Sequence, residues 1–339
     1  MATQTSANNR QERLTIGQKL FVTMFDSSRR QFISSVGATL AFATMQPWQH
    51  AASQTLPGTT TRLILLGTGG GPRPRKNSFA SSQVIIVNNV AYVIDCGNGV
   101  AIQLARAGVP LPSLRHVFIT HHHSDHNADY GNLLLLAWES GLRTRVDTWG
   151  PSPLTRMTHL FFEMNAYDIN TRIADEGRVP LAPLVHVHEL AAGGTVMQDG
   201  NVTVKCALVD HPPVKPAFAY RFDSHDRSIV ISGDTRRSDA LIRLALGADV
   251  LVHEALYVPA VERLAARVPN AAALRKSILS HHTSVEDAGR VATAAGVKML
   301  VLSHFVPPDD PDITEQMWID GARSTYKGQI IVGKDLMEI

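Results

Sequence analysis

The chain has 339 residues, 44% hydrophobic and 18% charged, the balance of a folded protein with a sizeable core rather than a disordered or collagen-like chain. Its formal charge of +2 is too small to imply a nucleic-acid partner, and the excess lies at the front: Arg10, Arg13, Lys19, Arg29 and Arg30 against Glu12 and Asp26 leave residues 53–339 near −1. Cys96 and Cys206 are far apart and lack CxxC spacing, which excludes a structural zinc ribbon; they read as buried free thiols, with a disulfide between them as the alternative.

In chain order, the first segment reads as an address. Ser28-Arg29-Arg30-Gln31-Phe32-Ile33 resembles the twin-arginine export motif. Residues 34–45 follow as a weakly apolar stretch too short for a permanent membrane helix, and Ala51-Ala52-Ser53 suits a signal peptidase. Residues 1–53 are therefore expected to be a twin-arginine signal peptide and leader, which implies a bacterial periplasmic protein with the translocase as a transient partner. An N-terminal extension with a chance arginine pair is the plain alternative. Residues 54–61, with Pro57-Gly58, read as a linker.

From residue 62 short β-branched runs alternate with turns. Strands are expected at 63–66, 83–87, 91–94, 117–120, 202–208, 218–221, 229–232, 250–252, 299–302 and 330–332, and helices at 100–107, 130–139 and 285–295. Ser284, with Asp287 three residues on, can cap the last helix. No linker or repeat divides 62–339, so one mixed α/β domain is expected; residues 150–200 carry few strand signals.

The chemistry is concentrated after one apolar run. Val117 to Thr120 delivers the chain into His121-His122-His123-Ser124-Asp125-His126. In an extended segment residues two apart point the same way, so His121 and His123 can grip one metal while Asp125 and His126 turn to a second. A solvated His-rich loop would need neither the aspartate nor the strand. Three further candidates also follow apolar strands: His211 after 204–209, Asp234 after 229–233, and His304 after 299–303. Strand-end loops on a rigid sheet are where ligand geometry is held accurately.

These motifs resemble the metallo-β-lactamase superfamily, and more closely its ribonuclease Z and arylsulfatase-like branch. Leu66-Gly67-Thr68-Gly69-Gly70-Gly71-Pro72 with Asn77-Ser78 looks like that branch's first Gly-rich turn, and Asp95-Cys96-Gly97-Asn98-Gly99 like its first aspartate motif. The resemblance implies an α/β fold, a four-layer αββα sandwich of two mixed sheets flanked by helices. It implies His121, His123 and His211 on a first metal, Asp125, His126 and His304 on a second, Asp234 bridging them, and Asp95 orienting ligands without binding metal. Glu254 and His282 look like the pair that protonates the leaving group, with His281 as the alternative donor; together with Asp125 they form the expected catalytic group.

Two Zn2+ ions are implied, with Mn2+ or Fe2+ also suited to such ligands. Held roughly 4 Å apart, they would lower the pKa of water between them and polarise an ester. Asp125 and Asp234 offset only half their charge, which favours an anionic substrate. The expected activity is hydrolysis of a small anionic ester, a phosphodiester or sulfate ester. Alternatives are tRNA 3′ processing, lactone hydrolysis and a non-catalytic metal-binding protein. Nucleic acid is not expected as partner, because residues 150–200 lack the basic Gly/Pro-rich arm with which ribonuclease Z clamps tRNA. A homodimer is usual in the resembling family. Residues 133–138 read as a core helix face, His186 and His188 as a solvated strand face, and Phe161, Phe162 and Tyr167 as core packing or a pocket mouth. Tyr257 and Phe305 stand equally as packing or pocket contacts.

Overall fold

A computed structural model describes residues 61–266 and 270–339; the expected leader, and all of the expected linker except Thr61, lie outside the described residues. From Thr61 the chain runs β1 (Thr61–Gly67), β2 (Ser82–Val87), β3 (Val90–Ile94), α1 (Val100–Arg106), β4 (His116–Phe118), the single turn α2 (Ser124–Asn127), α3 (Tyr130–Glu139), β5 (Val146–Pro151), α4 (Leu154–Met164), α5 (Ala166–Glu176) and β6 (Val185–Leu190). It continues through β7 (Gly194–Gln198), β8 (Val202–Val209), β9 (Ala217–Ser224), β10 (Ser228–Ile231), α6 (Asp239–Leu244), β11 (Val250–Leu256), α7 (Val258–Ala265), α8 (Ala271–His281), α9 (Val285–Ala295), β12 (Met299–Val306), α10 (Glu315–Arg323), β13 (Gln329–Val332) and β14 (Met337–Glu338).

The strands form two mixed sheets, ordered β14-β1-β2-β3-β4-β5-β6 and β13-β12-β11-β10-β9-β8-β7. Each is antiparallel in one part and parallel in the other, from β3 to β6 and from β10 to β13. Period-two alternation explains why the sheets face each other. Leu63, Leu65, Ile85, Val87, Met299 and Val301 point into the space between them. Their neighbours Ile64, Leu66, Val84 and Ile86 pack under α1 and α3, while Leu300 and Leu302 pack under α6, α9 and α10. Strands buried on both faces read as continuous apolar runs, and each such side chain contributes on the order of 1.5–3 kcal/mol. The expected αββα sandwich is the observed fold. Cys96 and Cys206 are both free and buried.

Residues 150–200 differ most from their thin sequence signal. After β5 they form α4 and α5, which close a small core of Leu135, Trp138, Ile169 and Leu181 against α3, and then β6 and β7. Phe161 and Phe162 pack against this core. Tyr167 is not core packing: it is exposed.

At one end of the sandwich the inward-facing series turns polar. Gln83 precedes Ile85 on β2, Ser303 follows Val301 on β12, Glu254 follows Val252 on β11, and Thr120 lies two residues beyond Phe118. This polar end layer carries the chemistry.

Candidate metal centre

All seven sequence-identified ligands meet at that end. His121, His123, Asp125 and His126 leave the first sheet just beyond β4, while His211, Asp234 and His304 come from the second sheet by way of β8, β10 and β12. Asp125 and His126 lie on the helical turn α2 rather than on extended chain, and this rotates them away from His121 and His123.

Two donor sets result. In the first, His121 Nε2 and His211 Nε2 each lie 3.1 Å from His123 Nδ1, with Asp234 Oδ2 3.8 Å from His121 and 3.9 Å from His211. In the second, Asp234 Oδ1 is 3.2 Å from both His126 Nε2 and His304 Nε2, and Asp125 Oδ2 is 3.3 Å from His304 and 3.8 Å from His126. A tetrahedral shell with bonds near 2.1 Å has ligand edges of roughly 3.4 Å, so both sets fit a divalent cation. The two oxygens of Asp234 divide between them.

Hydrogen bonding fixes which ring nitrogen faces inward. His121 Nδ1 donates to Thr120 Oγ1 at 3.0 Å, which donates to Asp95 Oδ2 at 2.9 Å. His126 Nδ1 donates to Asp95 Oδ2 at 2.7 Å, and His211 Nδ1 to the His281 carbonyl at 2.9 Å. Each leaves Nε2 with a bare lone pair for metal, the usual arrangement around a ligating histidine. Buried His126 Nε2 and Asp234 Oδ1 have no hydrogen-bond partner, the mark of atoms meant for a cation.

Burial pushes His121 and His123 below the ordinary imidazole range and His211 down to about 4, which keeps them neutral, as metal binding requires. Burial also opposes charge on His126, but Asp234, Asp95 and Asp125 outweigh it and raise its pKa. Asp95 has φ of 60° and accepts from Thr120 N at 2.8 Å, standing behind His121 and His126 rather than among the donor atoms.

The bulged backbone aims His304. Pairing of β11 with β12 shifts there, Ser303 opposing Glu254 and Phe305 opposing Ala255, and His304, at φ 44°, is the extra residue. Gly70 is required beside it, since a Cβ there would come within 2.8 Å of His304 Nδ1. The Gly-rich turn has a definite contact too: Gly71 N donates to Asp125 Oδ2 at 2.6 Å.

Beside the second set, His282 Nδ1 donates to Glu254 Oε2 at 2.6 Å, and Glu254 Oε1 accepts from Thr235 N at 2.6 Å. Burial works against a charged His282, but Glu254 overcomes it and the pKa is pushed up to about 9. The His281 ring is turned to Ser277 Oγ at 3.1 Å. His122 faces away, towards the Pro151 carbonyl, and His188 stacks on Trp149 and bonds Asp147. Phe305 and Tyr257 pack on Trp318. Sequence reading did not single out Thr120, Gln83 or Ser303; the available signal was a lone polar residue at an inward position of an apolar strand.

Residues 91–305 match the β-lactamase superfamily domain. The chain is 34% identical over 280 residues to ribonuclease Z of Mycobacterium bovis (strain BCG / Pasteur 1173P2), covering 82% of this chain and 97% of that protein. The chain belongs to the ribonuclease Z family of this superfamily. Its fold is shared with the metallo-β-lactamase fold protein YhfI from Bacillus subtilis, at TM-score 0.62 and 20% identity over 82% of this chain and 98% of that one. The short form of human tRNase Z matches at TM-score 0.59 and 22% identity, over 82% and 98%. The family is one of metal-dependent hydrolases, and the donor sets here suit a divalent metal.

Membership corrects one expectation. Nucleic acid was not expected as partner and a small anionic ester was expected as substrate, but the relatives are ribonucleases by name. That expectation relied on the missing basic arm at residues 150–200 and on net charge summed over the whole body. What an approaching phosphate meets is the local field at the site, which divalent cations held by these donors would dominate.

Proposed function

We propose that the protein is a two-zinc endoribonuclease that hydrolyses a phosphodiester of RNA, with tRNA precursors bearing 3′ extensions as the first substrate to test. The observation that carries this reading is Asp234, whose two carboxylate oxygens face separate donor sets 3.2 and 3.8 Å from their nearest histidine nitrogens. The relatives' names support a phosphodiester over a sulfate ester. Histidine and carboxylate donors at tetrahedral spacing favour zinc, and metal analysis distinguishes it from manganese or iron.

Bound there, the cation pair supplies an activated water and neutralises charge on the phosphate. His121, His123 and His211 would hold one ion, Asp125, His126 and His304 the other, and Asp234 both. Glu254 keeps the His282 imidazole charged and oriented, so His282 can deliver a proton to the departing oxygen. Thr235 N fixes the Glu254 carboxylate in turn. The test is zinc content together with RNA cleavage. Asp234→Ala should lose both metal equivalents and all measurable cleavage; a variant that cleaves RNA like the parent overturns the reading.

Export is a separate proposal, supported by the Arg29-Arg30 motif and the small residues at 51–53, and an exported chain would meet RNA other than tRNA precursors. Fractionation of cells expressing the full chain checks it. Replacing both arginines with lysine should leave the protein in the cytoplasm, and periplasmic recovery of that variant would defeat the proposal.

A further inference from the structure

The polar end layer between the sheets is fully bonded except at two residues. Thr120 is held by Asp95, and Glu254 by His282 and Thr235. Gln83 and Ser303 face each other's sheet from inward positions, each 2% exposed, yet Gln83 Oε1 and Ser303 Oγ have no hydrogen-bond partner. An unpaired buried polar atom costs on the order of 1–3 kcal/mol. A third orphan is close: His304 Nδ1 is buried and unpaired, 4.0 Å from Glu254 Oε2, too far for a direct bond and a natural span for a bridged one.

These residues line a cavity of about 10 Å³ that also borders the second donor set, since Gln83, Glu254, Ser303 and His304 share it with His126 and Asp234. A polar cavity of roughly that size admits one water. We propose that it binds a single ordered water, gripped by Gln83 and Ser303, which accepts the Nδ1 proton of His304 and so holds that ring for its cation. The inventory balances: the water donates to Gln83 Oε1 and to the Glu254 carboxylate, and accepts from His304 Nδ1 and the Ser303 hydroxyl. Ligating histidines generally spend their second nitrogen this way; His121, His126 and His211 do so on protein atoms. Gln83 and Ser303 are thus positioning residues, and Gln83 ties the first sheet to a ligand of the second.

The inference rests on the two-cation reading but not on RNA as substrate. Zinc titration against a competing chelator, with the full chain and Gln83→Met, tests it without any activity assay. One of the two equivalents should bind about 10- to 100-fold more weakly while the other is unchanged, and the metal-free variant should melt no lower than the parent. A purely structural role for Gln83 would lower that melting point and weaken both equivalents alike. Ser303→Ala should repeat the selective loss and stands in if Gln83→Met does not fold. A high-resolution crystal structure should show a water within hydrogen-bond reach of Gln83 Oε1 and Ser303 Oγ. Parent-like affinity at both equivalents, or a cavity without that water, overturns the proposal. A parent binding fewer than two equivalents would instead defeat the two-cation reading itself.

Discussion

At the scale of single residues, the proposed division of labour separates metal holding from proton delivery. His282 touches Glu254 and belongs to neither donor set described above, although with Asp234, Glu254 and His304 it forms a third cluster that could hold a cation. His282→Ala is therefore expected to keep both metal equivalents while cleavage falls about 10²- to 10⁴-fold. A phosphodiester with a nitrophenolate leaving group needs no proton on departure, so the same variant should lose far less on it. Equal losses on both substrates would remove His282 from the donor role.

His253 gives a pH prediction away from the metals. It is fully buried, its Nδ1 is bonded to the Glu254 carbonyl, and burial lowers its pKa to about 4. Between pH 6.5 and about 4 the unfolded chain takes up a proton that the folded chain refuses. This contribution is absent above pH 6.5 and destabilises the fold as pH falls, by on the order of 3 kcal/mol at pH 4. Urea melts should show His253→Met losing less stability than the parent between pH 7 and pH 5.

Among the elements, α8 and α9 frame His282, which lies where the first ends and the second has not begun. The turn is pinned by Ser284, whose Oγ accepts from Asp287 N at 3.1 Å. Ser284→Ala should cost about 1 kcal/mol in denaturant unfolding.

That cap was legible in the sequence, as were ten strands, because a strand buried on both faces leaves a continuous β-branched run. The seven candidate donors were legible for a related reason: each group of them comes soon after such a run. What escaped reading lies where burial is one-sided. In α4 only Leu154 and Thr158 are buried while Leu160 and Met164 are exposed, so apolar residues on both sides blur the helical period. β6, at a sheet edge, has no fully buried residue, so beyond the period-two spacing of His186 and His188 it left no apolar run. That Gln83 and Ser303 line one cavity was also out of reach, since their strands lie more than two hundred residues apart.

For the whole molecule, the described residues from Thr61 form both sheets and the complete donor set, so a chain beginning near residue 54 is expected to bind zinc with parent stoichiometry. Each donor set also draws on both sheets. A cation that binds only the folded form adds RT ln(1 + [M]/Kd), about 2.7 kcal/mol at a hundredfold excess over Kd. Chelation should therefore lower the melting temperature of the parent but leave that of metal-free Asp234→Ala unmoved.

Because ions so held would clasp one lamina to the other, an empty copy would be more than an idle enzyme. It is a sandwich unbuttoned along its reactive margin, and proteases should clear it ahead of loaded copies. Under zinc starvation the cell would then lose the polypeptide itself, so abundance would follow the supply of the ion; pulse-chase turnover with and without a chelator would show it.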